Sequence, residues 1–255
     1  MITDNPLVSI ITPLYNSKDF IQSCCESVQN QSYVFWEHII VEDYSTDGSR
    51  DLLLELAAND SRVVPIYLDQ NVGSGKARNK AISLAKGRYI AFLDSDDVWA
   101  PKKLELQIQL MEKMGWTFSH TSYGYIDPLG NRIKGTFHVS RNPISYVDLL
   151  KRTEISCLTA VYNQEKIGKY YLSNHRRKQD YALWLSILKS GVKSHPIDME
   201  LAFYRIRPNS ATNKKYKLIF KHIKFLMETQ NFSLLKSLYY TSYWMVNGIF
   251  RYFIN

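Results

Sequence analysis

The chain has 255 residues, 45% hydrophobic and 22% charged, the composition of a globular protein able to bury a core without disulfides or structural metal. Its formal charge is +8, from 32 Lys and Arg against 24 Asp and Glu, and the segment from Lys214 to Asn255 holds seven cations against Glu228 alone, or +6. The three cysteines include the adjacent Cys24 and Cys25 and form no CxxC, which excludes a disulfide framework or Cys-rich zinc site and fits a reducing compartment; neither a run of about 18 uncharged apolar residues nor a signal-peptide layout is present.

Val8 to Thr12 is a β-branched run that predicts a buried strand, stopped by Pro13. Ser17 or Asp19 caps a helix that turns Phe20, Ile21 and Val28 inward. Trp36 to Val41 is a second strand, ending at Glu42 and Asp43. Ser45 to Ser49 forms a turn into a helix through Leu52, Leu53 and Leu56. Val63 to Leu68 is a third strand, Asn71 to Gly75 a loop, and Ala77 to Ala85 a helix stopped by Gly87. Tyr89 to Leu93 is a fourth strand, followed by Asp94-Ser95-Asp96-Asp97, and Pro101 opens a helix to about Met114. This alternation predicts βαβ units and a mainly parallel sheet. Ligands of such sheets bind at the carboxyl ends of strands, and Tyr15-Asn16, Glu42-Asp43 and Asp94 to Asp97 all fall there.

Three motifs carry chemistry. Gly73-Ser74-Gly75-Lys76 is not a P-loop, because Gln70 stands at the first glycine position and Ala77 at the Ser/Thr position. Nor is it a dinucleotide fingerprint, since Arg78 replaces the third glycine. It is a flexible turn, or a place where backbone or Arg78 approaches phosphate at a helix start. Asp94, Asp96 and Asp97 repel one another, and a Mg²⁺ or Mn²⁺ ion relieves that penalty; the alternative is an acidic helix cap. In Gln179-Asp180-Tyr181-Ala182-Leu183-Trp184-Leu185 the apolar positions are helical core. Asp180 is either a first-turn cap or a general base. Arg176, Arg177 and Lys178 before it are ion-pair or phosphate partners.

VSIITPLYN, IIVEDYSTDGS, the loop through GKARN, YIAFLDSDD and QDYALWL follow one another in order over roughly residues 7 to 210. Together they resemble the family 2 glycosyltransferases with the GT-A fold, in particular the bacterial enzymes that build surface polysaccharide. The resemblance implies an α/β fold with a GT-A nucleotide-binding domain, its mainly parallel sheet flanked by helices. That domain is expected over residues 1–213, the nucleotide-sugar half over about 1–115 and the acceptor half over about 116–213, with a helical tail over 214–255.

The implied activity is inverting transfer from a nucleotide diphosphate sugar, a UDP-hexose or UDP-N-acetylhexosamine, to a hydroxyl of a lipid-linked saccharide in lipopolysaccharide, O-antigen or capsule synthesis. Pro13, Tyr15 and Asn16 match the first nucleotide-contacting segment, and Asp43 the carboxylate that reads the uracil edge. Gly73, Lys76 and Arg78 match the loop near base and diphosphate. Asp94, Ser95 and Asp96 match the DxD segment, with Asp96 or Asp97 at a Mn²⁺ or Mg²⁺ ion, and Asp180 matches the catalytic base. Two positions depart from the pattern. Gln179 replaces the usual Glu, and Arg207 stands where His is frequent, so that a cation there covers the diphosphate. Such a base contributes about 10²–10⁴-fold.

Beyond Tyr216, Phe220, Phe225, Tyr239, Tyr240, Tyr243 and Trp244 mix with lysines. The uncharged stretch Ser237 to Phe250 spans only 14 residues, too short to cross a bilayer. The tail therefore reads as a headgroup-interface segment or as helices packed on the body, and not as a nucleic-acid arm. The expected location is cytoplasmic, peripheral at the inner face of the membrane. The alternatives are a nucleotidyltransferase, which would release pyrophosphate, and a sugar-nucleotide-binding subunit without turnover.

Overall fold

The computed structural model describes residues 5–173, 178–207 and 215–254. The expectations placed on Arg176, Arg177 and the boundary at 213/214 lie outside the described residues.

The first half alternates as expected: β1 (Val8–Leu14), α1 (Lys18–Gln29), β2 (Trp36–Glu42), α2 (Ser49–Asn59), β3 (Val63–Tyr67), α3 (Ser74–Leu84) and β4 (Tyr89–Phe92). These strands pair in parallel, β3-β2-β1-β4, with Ile10 in register with both His38 and Ala91. Every residue of β1 is buried, which explains its continuous β-branched run: a strand covered on both faces needs no polar alternation. Pro13 does not stop β1. The strand runs on to Leu14, because pairing with β4 has already ended at Ile11 and proline is tolerated where one strand side is unpaired. Helix α3 starts three residues earlier than Ala77, at Ser74, directly after Gly73 with φ 86°.

The second half comprises β5 (Val98–Trp99), α4 (Lys103–Met114), β6 (Phe118–Ile126), β7 (Arg132–Phe137), α5 (Tyr146–Lys151), β8 (Val161–Asn163), α6 (Gln164–Ile167), α7 (Gln179–Lys189) and β9 (Ser194–Arg205). Here the sheet turns mixed. β8 is antiparallel to β4 and β6, β9 is parallel to β6, and the two-residue β5 lies antiparallel to β9. That last pairing brings the end of β9 beside the acidic turn after β4.

Two apolar layers sandwich the sheet. On one side α3 and α7 cover Ile11, Ile39 and Phe92, with the fully buried Trp184 edge-on to Phe92 at 5.2 Å between centroids. On the other, α1 and α4 cover Ile10, Ile40 and Ala91. The tail folds as a helical hairpin, α8 (Lys215–Gln230) and α9 (Leu234–Ile254). α8 packs on α7 through Phe225 and Tyr181, 5.4 Å between centroids. α9 packs on α5, where Asn247 Nδ2 donates to the Lys151 carbonyl at 3.0 Å. No helix among the described residues is long and apolar enough to cross a membrane.

Candidate active site

The carboxyl ends of β1, β2 and β4 converge, and their loops are laced together by side chains. Asn16, in the left-handed region at φ 45°, accepts from the Thr46 amide through Oδ1 at 2.9 Å, while its own amide donates to Ser45 Oγ at 3.1 Å. Asn tolerates this backbone better than most residues. The Lys18 amide, at the start of α1, donates to Asp47 Oδ2 at 2.9 Å. Tyr15 and Tyr44 stand half exposed at this rim.

Asp43 is buried, and both of its oxygens are engaged. Oδ1 accepts from the Val72 amide at 2.7 Å and Oδ2 from the Gly73 amide at 2.8 Å. Asn71 Nδ2 reaches back to the Asp43 carbonyl at 3.0 Å. Asp43 thus ties the loop before α3 to the end of β2, a role beyond the base-reading one expected for it. In the first turn of α3, a Cβ on Gly75 would run into the end of the Gln179 side chain. α7 thus approaches α3 closely at this point through the Gln179 side chain. Lys76 is exposed.

Three arginines meet the three carboxylates after β4. Arg78, buried on α3, ion-pairs with Asp94. Arg207 Nε lies 2.8 Å from Asp96 Oδ2, and its Nη2 donates to Ser17 Oγ at 3.3 Å. Arg205 donates its backbone N–H to Asp97 Oδ1 at 2.9 Å and its Nε to the Asp96 carbonyl at 2.6 Å. The guanidinium groups of Arg205 and Arg207 both lie over the Phe20 ring, at 5.1 and 4.6 Å respectively. Arg207 was expected over a diphosphate; here it holds Asp96. Asp97 and Ser95 are buried, whereas Asp94 and Asp96 are part-exposed toward the cleft. Burial pushes the Asp96 carboxyl up, the Asp94 charge pushes it further, and Arg207 pulls it back. Burial and the charges of Asp96 and Asp94 lift Asp97 well above the carboxylate range.

Charge crowding of this kind fits a divalent cation. No group of three His, Cys, Asp or Glu side chains among the described residues is arranged to hold a metal alone.

Asp180 opens α7 and is half-buried. Burial raises its carboxyl; the Tyr181 backbone N–H and Arg78 lower it, and Asp94 raises it. Residues 86 positions away in the chain from Asp94 therefore share one electrostatic site with it. Asp180 also lines a cavity of about 380 Å³ with Arg152, Lys178 and Trp244.

Sequence reasoning missed Arg205, Phe20 and the Arg152–Trp244 cavity wall. Near the end of β9 the sequence marks only Arg207, because the contact that matters at Arg205 is in part its main-chain N–H, which no side-chain pattern encodes.

Residues 9–179 match the model of the family described as Glycosyl transferase family 2. The chain is 43% identical over 212 residues to TuaG of Bacillus subtilis, a glycosyltransferase assigned by name to teichuronic acid biosynthesis, covering 83% of this chain and 84% of that one. It is 36% identical over 249 residues to WfaP of Escherichia coli, a UDP-Glc:alpha-D-GlcNAc-diphosphoundecaprenol beta-1,3-glucosyltransferase, covering 98% and 93%. The fold is similar to that of the mannosyltransferase PcManGT from Pyrobaculum calidifontis, solved with GDP-Man and Mn²⁺, at TM-score 0.67 and 16% identity over 94% of this chain and 70% of that one.

The geometry at Asp43 makes a distinct prediction. Asp43→Ala leaves two amides without their acceptor, each worth about 1–3 kcal/mol when buried. Urea denaturation should show a loss of that order, and hydrogen exchange at Val72 and Gly73 should accelerate. Unchanged exchange would show that the carboxylate does not anchor the loop.

Proposed function

The chain belongs to glycosyl transferase family 2, and from that premise we propose that it moves a sugar from a UDP-sugar to a hydroxyl of a lipid-linked saccharide, inverting the anomeric carbon. The observation that carries this reading is the close approach of α7 to α3 at Gln179 and Gly75, which brings Asp180 to the side of the Arg78–Asp94 ion pair, whose charges act on its carboxyl. A carboxylate that can accept a proton thus stands beside a cluster built to handle phosphate charge.

The donor side is the rim of Pro13, Tyr15 and Asn16, the Asp43-anchored loop with Gly73 and Lys76, and the turn Asp94-Ser95-Asp96. We assign the cation to Asp96, whose side chain reaches the cleft, while Asp97 ties the turn to β9. A bound Mn²⁺ or Mg²⁺ supplies positive charge to the departing diphosphate. Arg207 and Arg78 stand ready to share that role by moving from carboxylate to phosphate. Asp180 takes the proton of the acceptor hydroxyl as it attacks. Gln179 leaves Asp180 as the carboxylate of this pair, which is enough for a single-base mechanism. UDP is favoured over other nucleotides by the activity that WfaP carries in its name.

The tail gives the lipid-linked acceptor a place to approach. On α9 the polar Ser237 and Thr241 are buried at 0% and 2% exposure, whereas Leu235 is 80% exposed, with Leu238, Tyr239, Tyr243 and Val246 also outward. A helix with polar residues inside and apolar residues outside is the reverse of one facing water. Lys221, Lys224 and Lys236 add positive charge on the same hairpin. This arrangement supports contact with an anionic membrane surface, while Asn247 and Trp244 keep the helix on the body.

Nucleotide sugars screened for release of nucleoside diphosphate should give turnover with a UDP-sugar that EDTA abolishes and Mn²⁺ or Mg²⁺ restores; release of pyrophosphate would mean a nucleotidyltransferase, and binding without turnover a non-catalytic subunit. Asp180→Asn should keep UDP affinity and lower kcat by about 10²–10⁴-fold. Because burial raises the Asp180 carboxyl, wild-type activity should fall with acidification at a pH above the ordinary carboxylate range, as the base becomes protonated. A folded Asp180→Asn enzyme with near-normal turnover would sink the mechanism. Finally, Leu235→Glu with Leu238→Glu should weaken cosedimentation with anionic liposomes, and salt should do so only in part, since the apolar contacts are unscreened. Undiminished sedimentation would place the membrane contact elsewhere.

A further inference from the structure

Lys178 breaks several local rules at once. It stands at the N-cap of α7 with φ 54°, a left-handed backbone that is costly outside glycine and clusters at functional sites. It makes no side-chain cap hydrogen bond, and it places a cation at the helix end that favours anions. Its side chain is part-buried, and burial pushes the ammonium pKa down to about 8. Local rules broken together are expected at functional sites.

The ammonium is held by the helical hairpin. It lies 2.7 Å from His222 Nδ1 on α8 and 4.6 Å from the Trp244 ring centroid on α9. His222 is fully buried, and burial, then the Lys178 charge, push its pKa down to about 3. It is therefore a neutral imidazole that accepts from the ammonium at Nδ1 and carries its own proton on Nε2. That Nε2 has no hydrogen-bond partner among the described residues. The ring is thus committed to Lys178 while its other nitrogen stays unsatisfied. Trp244 stacks on it at 4.4 Å and is oriented in turn by Nε1 donating to Thr153 Oγ1 at 2.8 Å.

Charged groups reach Asp180 from several elements. Burial raises its carboxyl; among its neighbours Arg78 on α3 lowers it and Asp94 raises it. The Cys157 thiol, pushed up by burial, also feels the Asp180 charge. Arg152 lines the same cavity, but its guanidinium is taken by the buried Glu154, Nε to Oε2 at 3.1 Å. Lys178 instead meets the imidazole. Against burial, the Asp180 charge holds the Lys178 ammonium up, and by reciprocity the ammonium holds the carboxyl down.

We propose that Lys178 is a positioning residue for the base: His222 tethers its ammonium beside Asp180 without letting the two pair. The inference rests on the transferase reading above, in which Asp180 takes the acceptor proton, and adds that the hairpin acts on that step without touching substrate. A carboxylate locked in an ion pair is a poor base, because its oxygens are occupied and its proton affinity falls. A buried carboxylate with no cation nearby takes up a proton too early as the pH drops. An ammonium held on a neutral acceptor at the edge of the site gives the case between. It also ties the first turn of α7 to α8, so that the base keeps its direction, and misdirection of a reacting group costs large factors in rate.

The test is titration of the Asp180 carboxyl by carbon-13 NMR, its resonance assigned with Asp180→Asn. Lys178→Met should move the midpoint up by about half a pH unit or more, because a neighbouring cation is gone. His222→Phe keeps a ring for Trp244 to stack on but removes the acceptor, so the ammonium turns to Asp180 and the midpoint should move down. Melting temperature and UDP affinity should hold in both, while turnover of the UDP-sugar found by the screen above falls about tenfold or more. In the Lys178→Met background, His222→Phe should leave the midpoint where it is. If Lys178→Met or His222→Phe does not fold, Lys178→Gln and His222→Leu make the same removals. An unmoved midpoint in a well-folded Lys178 variant, or midpoints that move the same way in both, overturns the tether. Normal turnover by folded Asp180→Asn overturns the base reading beneath it, whatever the titration shows, and the two failures are thus told apart.

Discussion

Three carboxylates within four residues, at the end of a buried strand, cannot all stay ionised without help. The rest of the site is organised around that help. Arg78 comes from α3, and Arg205 and Arg207 from the end of β9. None is near Asp94–Asp97 in sequence, so the fold must deliver them. The short β5 does this by pairing antiparallel with β9, Val98 opposite Phe203, which sets the end of β9 against the acidic turn. The sheet's change from parallel to mixed is thus the means by which the turn acquires its counter-charges.

The arrangement leaves the turn only partly compensated. Asp96 and Asp97 remain raised by burial and mutual repulsion even with arginines at hand. Removing a guanidinium would worsen this, whereas a divalent cation would relieve it. A site of this type is poised between two sources of positive charge, and that suits a centre whose anionic ligand arrives and leaves. With a diphosphate present, arginines that now hold carboxylates have a second anion to engage.

Much of this was legible in the sequence where local physics dominates. β1, β2 and β4 are continuous β-branched or aromatic runs, and their polar ends mark the strand termini that ligands favour. The second half was opaque because its interior is polar. Ser119, His120, Thr121 and Ser122 on β6 are all buried, yet their residue types carry no apolar strand pattern. They are admitted inside because they are hydrogen-bonded, His120 Nδ1 to Ser194 Oγ at 2.8 Å and Ser122 Oγ to Asp198 at 2.7 Å. Pro13 misled for a related reason: a residue-level rule about proline depends on which neighbour a strand still has. Asp97 reads in sequence as equal to Asp96, and only the backbone of Arg205 separates their roles.

Of the two readings of the tail, membrane surface or packed helix, the packing is present in the fold, and it leaves α9 a second face turned outward. Its inner face carries Ser237, Thr241 and Trp244 against the body, and its outer face carries Leu235, Leu238 and Val246. The inner contact is specific, made of hydrogen bonds and ring stacking at Thr153, Lys151 and His222. The outer face is not specific, being a broad apolar surface flanked by lysines. Specific contacts fix a position, while an apolar surface fixes only a phase. Together they leave the hairpin fixed on the body, with an apolar face turned outward that the fold itself does not cover.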